Sequence, residues 1–397
     1  MRHSAGWPHL RGRPLERTDV AKENESADQQ HCVLIDMSSY SFTRRRFLQA
    51  SGLAVSSVAC RASLGKVSPH AACGSVVQEY VDKERFQGVV MLGRGGRPQF
   101  SMPVGYSDIE KRQAMAADSV FGIASISKML TSVTVLKLQE RRLLSLDESI
   151  GTYLPYFRKD LGATLTLRYL MANNSGVPNL FSPAMKSDAH LMERPLTTQE
   201  AVHRFCEGDL IFKPGERFDY SLPNWILVLA IVEAVTKVRF ADAMQSITLR
   251  PLGLTATSAA LDVAAVVPYT DAQPAVRRPA ARQPYIAAAG GYFSTAPDLM
   301  RAGHLIFDTS FLTAHSRQEL TTVEVPSDQY ALGGRIRQIA AAPGTVPAAW
   351  DTGNTSGYRS VLGHRLDGKA TVVVLNNTSM SQKTLDEFSV ALLAAFA

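Results

Sequence analysis

The chain has 397 residues, 45% of them hydrophobic and 20% charged, an ordinary globular composition sufficient for one large domain or two closely joined ones. Formal net charge is +6, but residues 1–65 hold nine Lys/Arg against six Asp/Glu and so supply half of it. The remainder is too evenly balanced to suggest nucleic-acid binding, and no Lys/Arg run lies beyond the N-terminal segment.

Residues 1–36 are polar and aperiodic, and read as disordered or as preceding the true start at Met37. Thr43-Arg44-Arg45-Arg46-Phe47-Leu48 then leads into a weakly apolar run from Ala50 to Ala59. An arginine pair before a short, modest apolar stretch resembles a twin-arginine export signal, here residues 37–65, and implies an exported, periplasmic protein. Val58-Ala59-Cys60 faintly resembles a lipid-attachment box, for which Ser57 is a poor residue. No other stretch reaches the roughly 20 apolar residues that span a bilayer. The longest, Trp225–Val235, reads as a buried helix.

Residues 86–105 predict a β-hairpin turning at Arg94-Gly95-Gly96-Arg97. From Ser125 to Arg142, Ile126, Met129, Leu130, Val133 and Leu136 fall on one helical face. Ser145-Leu-Asp-Glu148 reads as a capping box opening a short helix before Pro155, and Thr197 with Glu200 as another before Ala201–Cys206. Asn224–Thr236 is a strongly apolar helix, and the four prolines of 267–284 suggest an extended arm. Strands Tyr358–Leu362 and Thr371–Asn376 flank an Asp367-Gly368 turn, and Lys383–Phe396 closes as a helix. Strands near both ends with helices between predict an α+β fold. Residues 66–135 and 270–397 would form an antiparallel sheet flanked by helices, with 136–269 inserted as a mainly helical domain.

Four cysteines, Cys32, Cys60, Cys73 and Cys206, have spacing that fits neither a zinc site nor a small disulfide scaffold. Cys73 and Cys206 would pair after export or stay as buried thiols. Nine scattered histidines without an HExxH pattern argue for no catalytic metal, and no cofactor is implied. There is no Gly-x-Ser-x-Gly elbow and no phosphate-binding loop.

The chemistry centres on Ser125-Ile126-Ser127-Lys128. Ser and Lys at i and i+3 share a helical face. A serine in the first turn lies near free backbone N–H groups and the positive helix end, which favour an alkoxide and a later oxyanion. A lysine enclosed there can give up its proton and act as base. Alone the pattern is weak, and Ser63-Leu-Gly-Lys66 repeats it by chance.

The order of motifs resembles the class C β-lactamase and penicillin-binding superfamily, which includes D-alanyl-D-alanine carboxypeptidases, D-aminopeptidases and family VIII carboxylesterases. The resemblance runs from about Phe86 to Asn377. It is carried by Ser125-x-x-Lys128, Leu144-Ser-Leu-Asp147, Asn174-Ser175-Gly176-Val177-Pro178, Lys213-Pro-Gly-Glu216, Pro251-Leu-Gly253 and Ala289-Gly290-Gly291 with Ser294-Thr295. It implies a β-lactamase/transpeptidase-like fold. It gives Tyr220, in Tyr220-Ser221-Leu222, the role of proton shuttle beside Ser125 and Lys128. The family has asparagine where Leu222 stands, so the substrate amide loses a partner there, and Asn224 should face elsewhere. Asn173 stands where many relatives carry histidine and reads as a turn.

The third motif, Lys/His-Thr-Gly in relatives, is here Asp351-Thr352-Gly353-Asn354. The resemblance implies an oxyanion hole from the Ser125 and Asn354 backbone N–H groups. An anionic Asp351 would repel the carboxylate that the usual cation attracts, unless Arg359 offsets it or pairs with it, or unless Asp351 merely bonds a structural neighbour. These departures favour small neutral ester or amide substrates, as in the esterase branch. A D-alanyl-D-alanine carboxypeptidase or β-lactamase on the same site, and a catalytically retired binding or sensing protein, are the alternatives.

Overall fold

The computed structural model describes residues 68–397 apart from 189, 260–263, 271–273, 279–282 and 342. The export-type segment at Arg44-Arg45-Arg46, Cys32 and Cys60 lie outside the described residues, as does part of the proline-rich arm.

Six antiparallel strands form the sheet: β1 (Gly88–Arg94), β2 (Arg97–Val104), β3 (Arg335–Ala340), β4 (Thr345–Thr355), β5 (Tyr358–Arg365) and β6 (Thr371–Asn376), in the order β2-β1-β6-β5-β4-β3. The fold is therefore α+β with a sheet assembled from distant segments, as the strand pattern predicts. The β1–β2 hairpin turns where the glycines fall. The sequence of β6, Thr-Val-Val-Val-Leu-Asn, is buried throughout because both sheet faces are covered.

Alternation along the strands separates two cores. Val90, Leu92, Trp350, Val361, Val372 and Val374 face one way and pack with α1 (Pro69–Glu84) and α6 (Gln382–Phe396). Val89, Met91, Leu362, Val373 and Leu375 face the other, toward α2 (Ile126–Glu140), α4 (Leu222–Thr236) and α5 (Ala296–Asp308). Cys73 belongs to the first core and Cys206 to the second, so the sheet divides them. Both are free, buried thiols, and burial raises the pKa of each.

The box at Thr197 and Glu200 caps α3 (Thr198–Phe205) reciprocally, as expected. That at Ser145 does not. Leu146 is buried, Asp147 pairs with Arg168 at 2.6 Å, and Glu148 accepts from Thr152 instead of capping. Only the 3₁₀ turn Ile150–Thr152 forms. Helix α4 begins two residues earlier than the apolar run suggests, with Pro223 in its first turn, where no N–H is lost. Among the described residues no helix is long and apolar enough to cross a membrane.

Candidate active site

Ser125 stands where a short strand turns into a helix. Phe121-Gly122 pairs with Phe293-Ser294, and the chain then bends through Ala124 at φ 44° before α2 begins. Left-handed backbone at an alanine costs about 1–2 kcal/mol, so the bend is imposed by its surroundings. The Ser125 N–H precedes the first helical bonds, which belong to Ile126, Ser127 and Lys128. Its Oγ makes no capping bond. Instead Lys128 Nζ donates to it at 3.0 Å and the Tyr220 hydroxyl donates to it at 2.7 Å.

Lys128 is 3% exposed. Its amine also donates to the Ala289 carbonyl at 2.5 Å and lies 4.9 Å from the Tyr220 ring and 5.6 Å from the Trp225 ring. No carboxylate is within ion-pair distance among the described residues. Tyr220 is 42% exposed and Ser125 is partly buried, so the group borders solvent.

Strand β4 forms the opposite wall. A Cβ on Gly353 would lie 2.2 Å from the Ile123 carbonyl oxygen, and Ser360 Oγ donates to that oxygen at 3.1 Å. Only glycine permits this contact between the strand and the bend before Ser125. Strands β4 and β5 are joined by Ser356-Gly357, both at positive φ, between the paired Thr355 and Tyr358. In such a two-residue hairpin the closing pair exchanges its backbone bonds, and alternation makes Asn354 and Arg359 a non-bonded pair. The Asn354 N–H therefore points away from β5. It faces an edge that β3 leaves uncovered, because β3 pairs with β4 only from Thr345 to Trp350. Among the described residues no backbone bond uses the Ser125 N–H, and the Asn354 N–H is directed to that open edge.

Residues 74–395 match the family Beta-lactamase. The chain belongs to that family. Protein flp of Staphylococcus aureus (strain NCTC 8325 / PS 47) is 26% identical over 188 residues, covering 46% of this chain and 37% of that protein. The chain thus spans well under half the length of the curated relatives it matches. The octameric penicillin-binding protein homologue from Pyrococcus abyssi superposes with TM-score 0.69 at 23% identity, over 81% of this chain and 76% of that one. EstCE1, described as a hydrolase with promiscuous acyltransferase activity, gives 0.66 at 19%, over 83% and 98%. At these identities the likeness shows a β-lactamase/transpeptidase-like fold.

Within this Beta-lactamase fold, three residues depart from expectation. Asp351 is not a free anion. Its side chain is 4% exposed, on the α2 side of the sheet opposite Leu362, and Oδ1 has no hydrogen-bond partner among the described residues. A Cβ on Gly334 would fall 2.1 Å from Oδ1, so only glycine admits the carboxyl there. Burial pushes its pKa up to about 8, against the opposing field of Arg335. At neutral pH the group is a neutral acid, and the expected repulsion of a substrate carboxylate disappears.

Arg359 does not offset Asp351. It stands opposite Asn354 on the face that holds Trp350 and Val361, and its Nη1 donates to the Tyr358 carbonyl at 2.8 Å. The sheet lies between the two side chains. Thr352 alternates onto that same face. Leu222 opens α4 and packs on the core, while Asn224 is buried and bonded to Asn173 and Ser175. It donates to Asn173 Oδ1 at 3.2 Å and accepts from Ser175 at 2.6 Å.

Asn173 does more than turn the chain. It is fully buried at φ 53° and holds the backbone on both sides of Tyr220. Its carbonyl accepts from Asp219 N–H at 2.8 Å and its Oδ1 from Ser221 N–H at 3.4 Å. Asparagine is among the few residues that tolerate left-handed backbone, and that was the available signal. Tyr330 and Arg335 also escaped the sequence reading. Tyr330 stands edge-on to Tyr220, with ring centroids 6.4 Å apart, and the Arg335 guanidinium lies 5.3 Å from its ring.

Proposed function

We propose that this protein is an exported serine hydrolase that cleaves small esters or amides through an acyl-enzyme on Ser125. The observation that carries the reading is the convergence of Lys128 Nζ and the Tyr220 hydroxyl on Ser125 Oγ, at 3.0 and 2.7 Å. Lys128 Nζ, assisted by Tyr220, takes the Oγ proton as Oγ bonds to the carbonyl carbon. The Ser125 and Asn354 N–H groups hold the resulting oxyanion. The bond to the leaving group breaks as Tyr220 gives it a proton, and the proton taken by Lys128 passes to Tyr220. Water then attacks the acyl carbon, releases the acid and restores Ser125. Export rests on the Arg44-Arg45 signal pattern.

The neutral state of Asp351 supports a second reading on the same chemistry, a peptidase or β-lactamase whose substrate bears a carboxylate. A retired binding protein fits less well, because such a protein has no need of a lysine and a tyrosine both bonded to one serine hydroxyl.

The test is p-nitrophenyl butyrate hydrolysis by residues 66–397 beside Ser125→Ala. Turnover by the parent that vanishes in the variant is expected. Equal turnover in both would remove Ser125 from the mechanism.

A further inference from the structure

Resting on the acyl-transfer reading, we propose that Thr131 is a positioning residue for that chemistry, which fixes the Ala289 carbonyl as the partner of Lys128 Nζ. Thr131 stands in α2 three residues after Lys128 and four after Ser127, so the three share one side of the helix. Each bonds to the segment Ala287–Tyr292. The Thr131 hydroxyl donates to the Ala288 carbonyl at 3.0 Å, and Lys128 Nζ donates to the Ala289 carbonyl at 2.5 Å. Ser127 Oγ accepts from the Tyr292 N–H at 3.3 Å. Ala289 therefore lies between two ties, Thr131 before it and Ser127 after it, and both side chains are fully buried. A Cβ on Gly290 would sit 3.4 Å from the Ala124 backbone, so the segment packs directly behind the bend that presents Ser125.

A threonine inside a helix commonly donates to the carbonyl four residues back, and Thr131 does reach the Ser127 carbonyl, at 2.9 Å. Its one hydroxyl hydrogen is shared with a second carbonyl 157 residues away, a bond the helix itself has no need of. The use of that bond follows from where charge appears. When Nζ takes the Oγ proton, positive charge gathers on a side chain that is 3% exposed. The Ala289 carbonyl dipole is the group placed to meet it. A dipole already held in place stabilises developing charge without first having to turn, and a loose one does not. Thr131 holds the peptide group that leads into Ala289, and so holds this dipole.

The test compares Thr131→Val, which keeps the shape and loses the hydroxyl, with Thr131→Ser, which keeps the hydroxyl. Both are assayed on p-nitrophenyl butyrate and crystallised beside the unaltered protein. Thr131→Val is expected to lower kcat about tenfold to a hundredfold with KM changed less than about twofold, and Thr131→Ser to recover all but about threefold of that loss. In the valine variant's crystal structure, Nζ and the Ala289 carbonyl should part beyond hydrogen-bond distance. Undiminished kcat in Thr131→Val, a loss of kcat/KM carried by KM, or a serine variant as impaired as the valine one overturns the assignment. So does a valine variant in which the Nζ contact to Ala289 is unmoved. Thr131→Ala, read by the same criteria, stands in if the valine variant does not fold. If the unaltered protein shows no turnover, the acyl-transfer reading fails separately and the crystal structures decide: a parted contact upholds positioning by Thr131, and an unmoved one overturns it.

Discussion

Asp351 stands on the strand where relatives place a cation, and its burial decides its charge more than its residue type does. Three features raise its proton affinity together: the closeness of Gly334, the lack of a hydrogen-bond donor to Oδ1, and an exposure of 4%. An aspartate in an unfolded chain titrates near pH 4, and here the pKa is about 8. The fold therefore holds this proton more tightly than the unfolded chain does. The contribution favours folding fully below about pH 4, is lost progressively as pH rises to about 8, and is constant beyond. Asp351→Asn removes the titration. Urea unfolding should show the variant gaining on the unaltered protein by up to about 5 kcal/mol between pH 4 and pH 8. A stability difference that is flat over this range would mean that Asp351 is ionised in the fold. Nothing in the letter Asp foretells this, because the cause lies in Gly334, seventeen positions back, and in how closely two strands approach.

At the scale of elements, the helix that begins at Ser125 was legible and the loop opposite was not. Helix α2 announces itself by the spacing of Ile126, Met129, Leu130 and Val133, and Lys128 falls one turn from Ser125 by local geometry alone. The β1–β2 hairpin, β5, β6 and α6 were likewise marked by glycine turns and apolar periodicity. The loop bearing Tyr220 has no period to read. It is held by Asn173, forty-seven positions earlier, through bonds to Asp219 and Ser221. Arg359 misled for a related reason: distance along the chain says little, whereas register puts it on the opposite sheet face from Asp351. If Asn173 acts through Tyr220, Asn173→Ala should lower kcat on p-nitrophenyl butyrate about tenfold to a hundredfold with KM little changed, the scale of a misplaced catalytic group. In a Tyr220→Phe background the same substitution should then cost almost nothing further. Equal proportional losses in both backgrounds would reduce Asn173 to a general structural role.

For the whole molecule, two cores on either face of one sheet fix where chemistry can occur. Helices α1 and α6 cover much of one face. On the other, α2, α4 and the segment from Tyr330 to Arg335 come together beside the part of β4 that β3 leaves uncovered, and the side chains of Lys128 and Tyr220 meet there on Ser125. This arrangement also explains the separation of Cys73 from Cys206 by the sheet. The central claim is that a covalent acyl group passes through Ser125. The most direct test is the mass of the intact protein, acid-quenched within its first turnovers of p-nitrophenyl butyrate and then digested. A single butyryl group on the peptide containing Ser125, absent from Ser125→Ala, is the predicted result. Steady turnover with the group on another residue, or with the same adduct in the variant, would contradict the account.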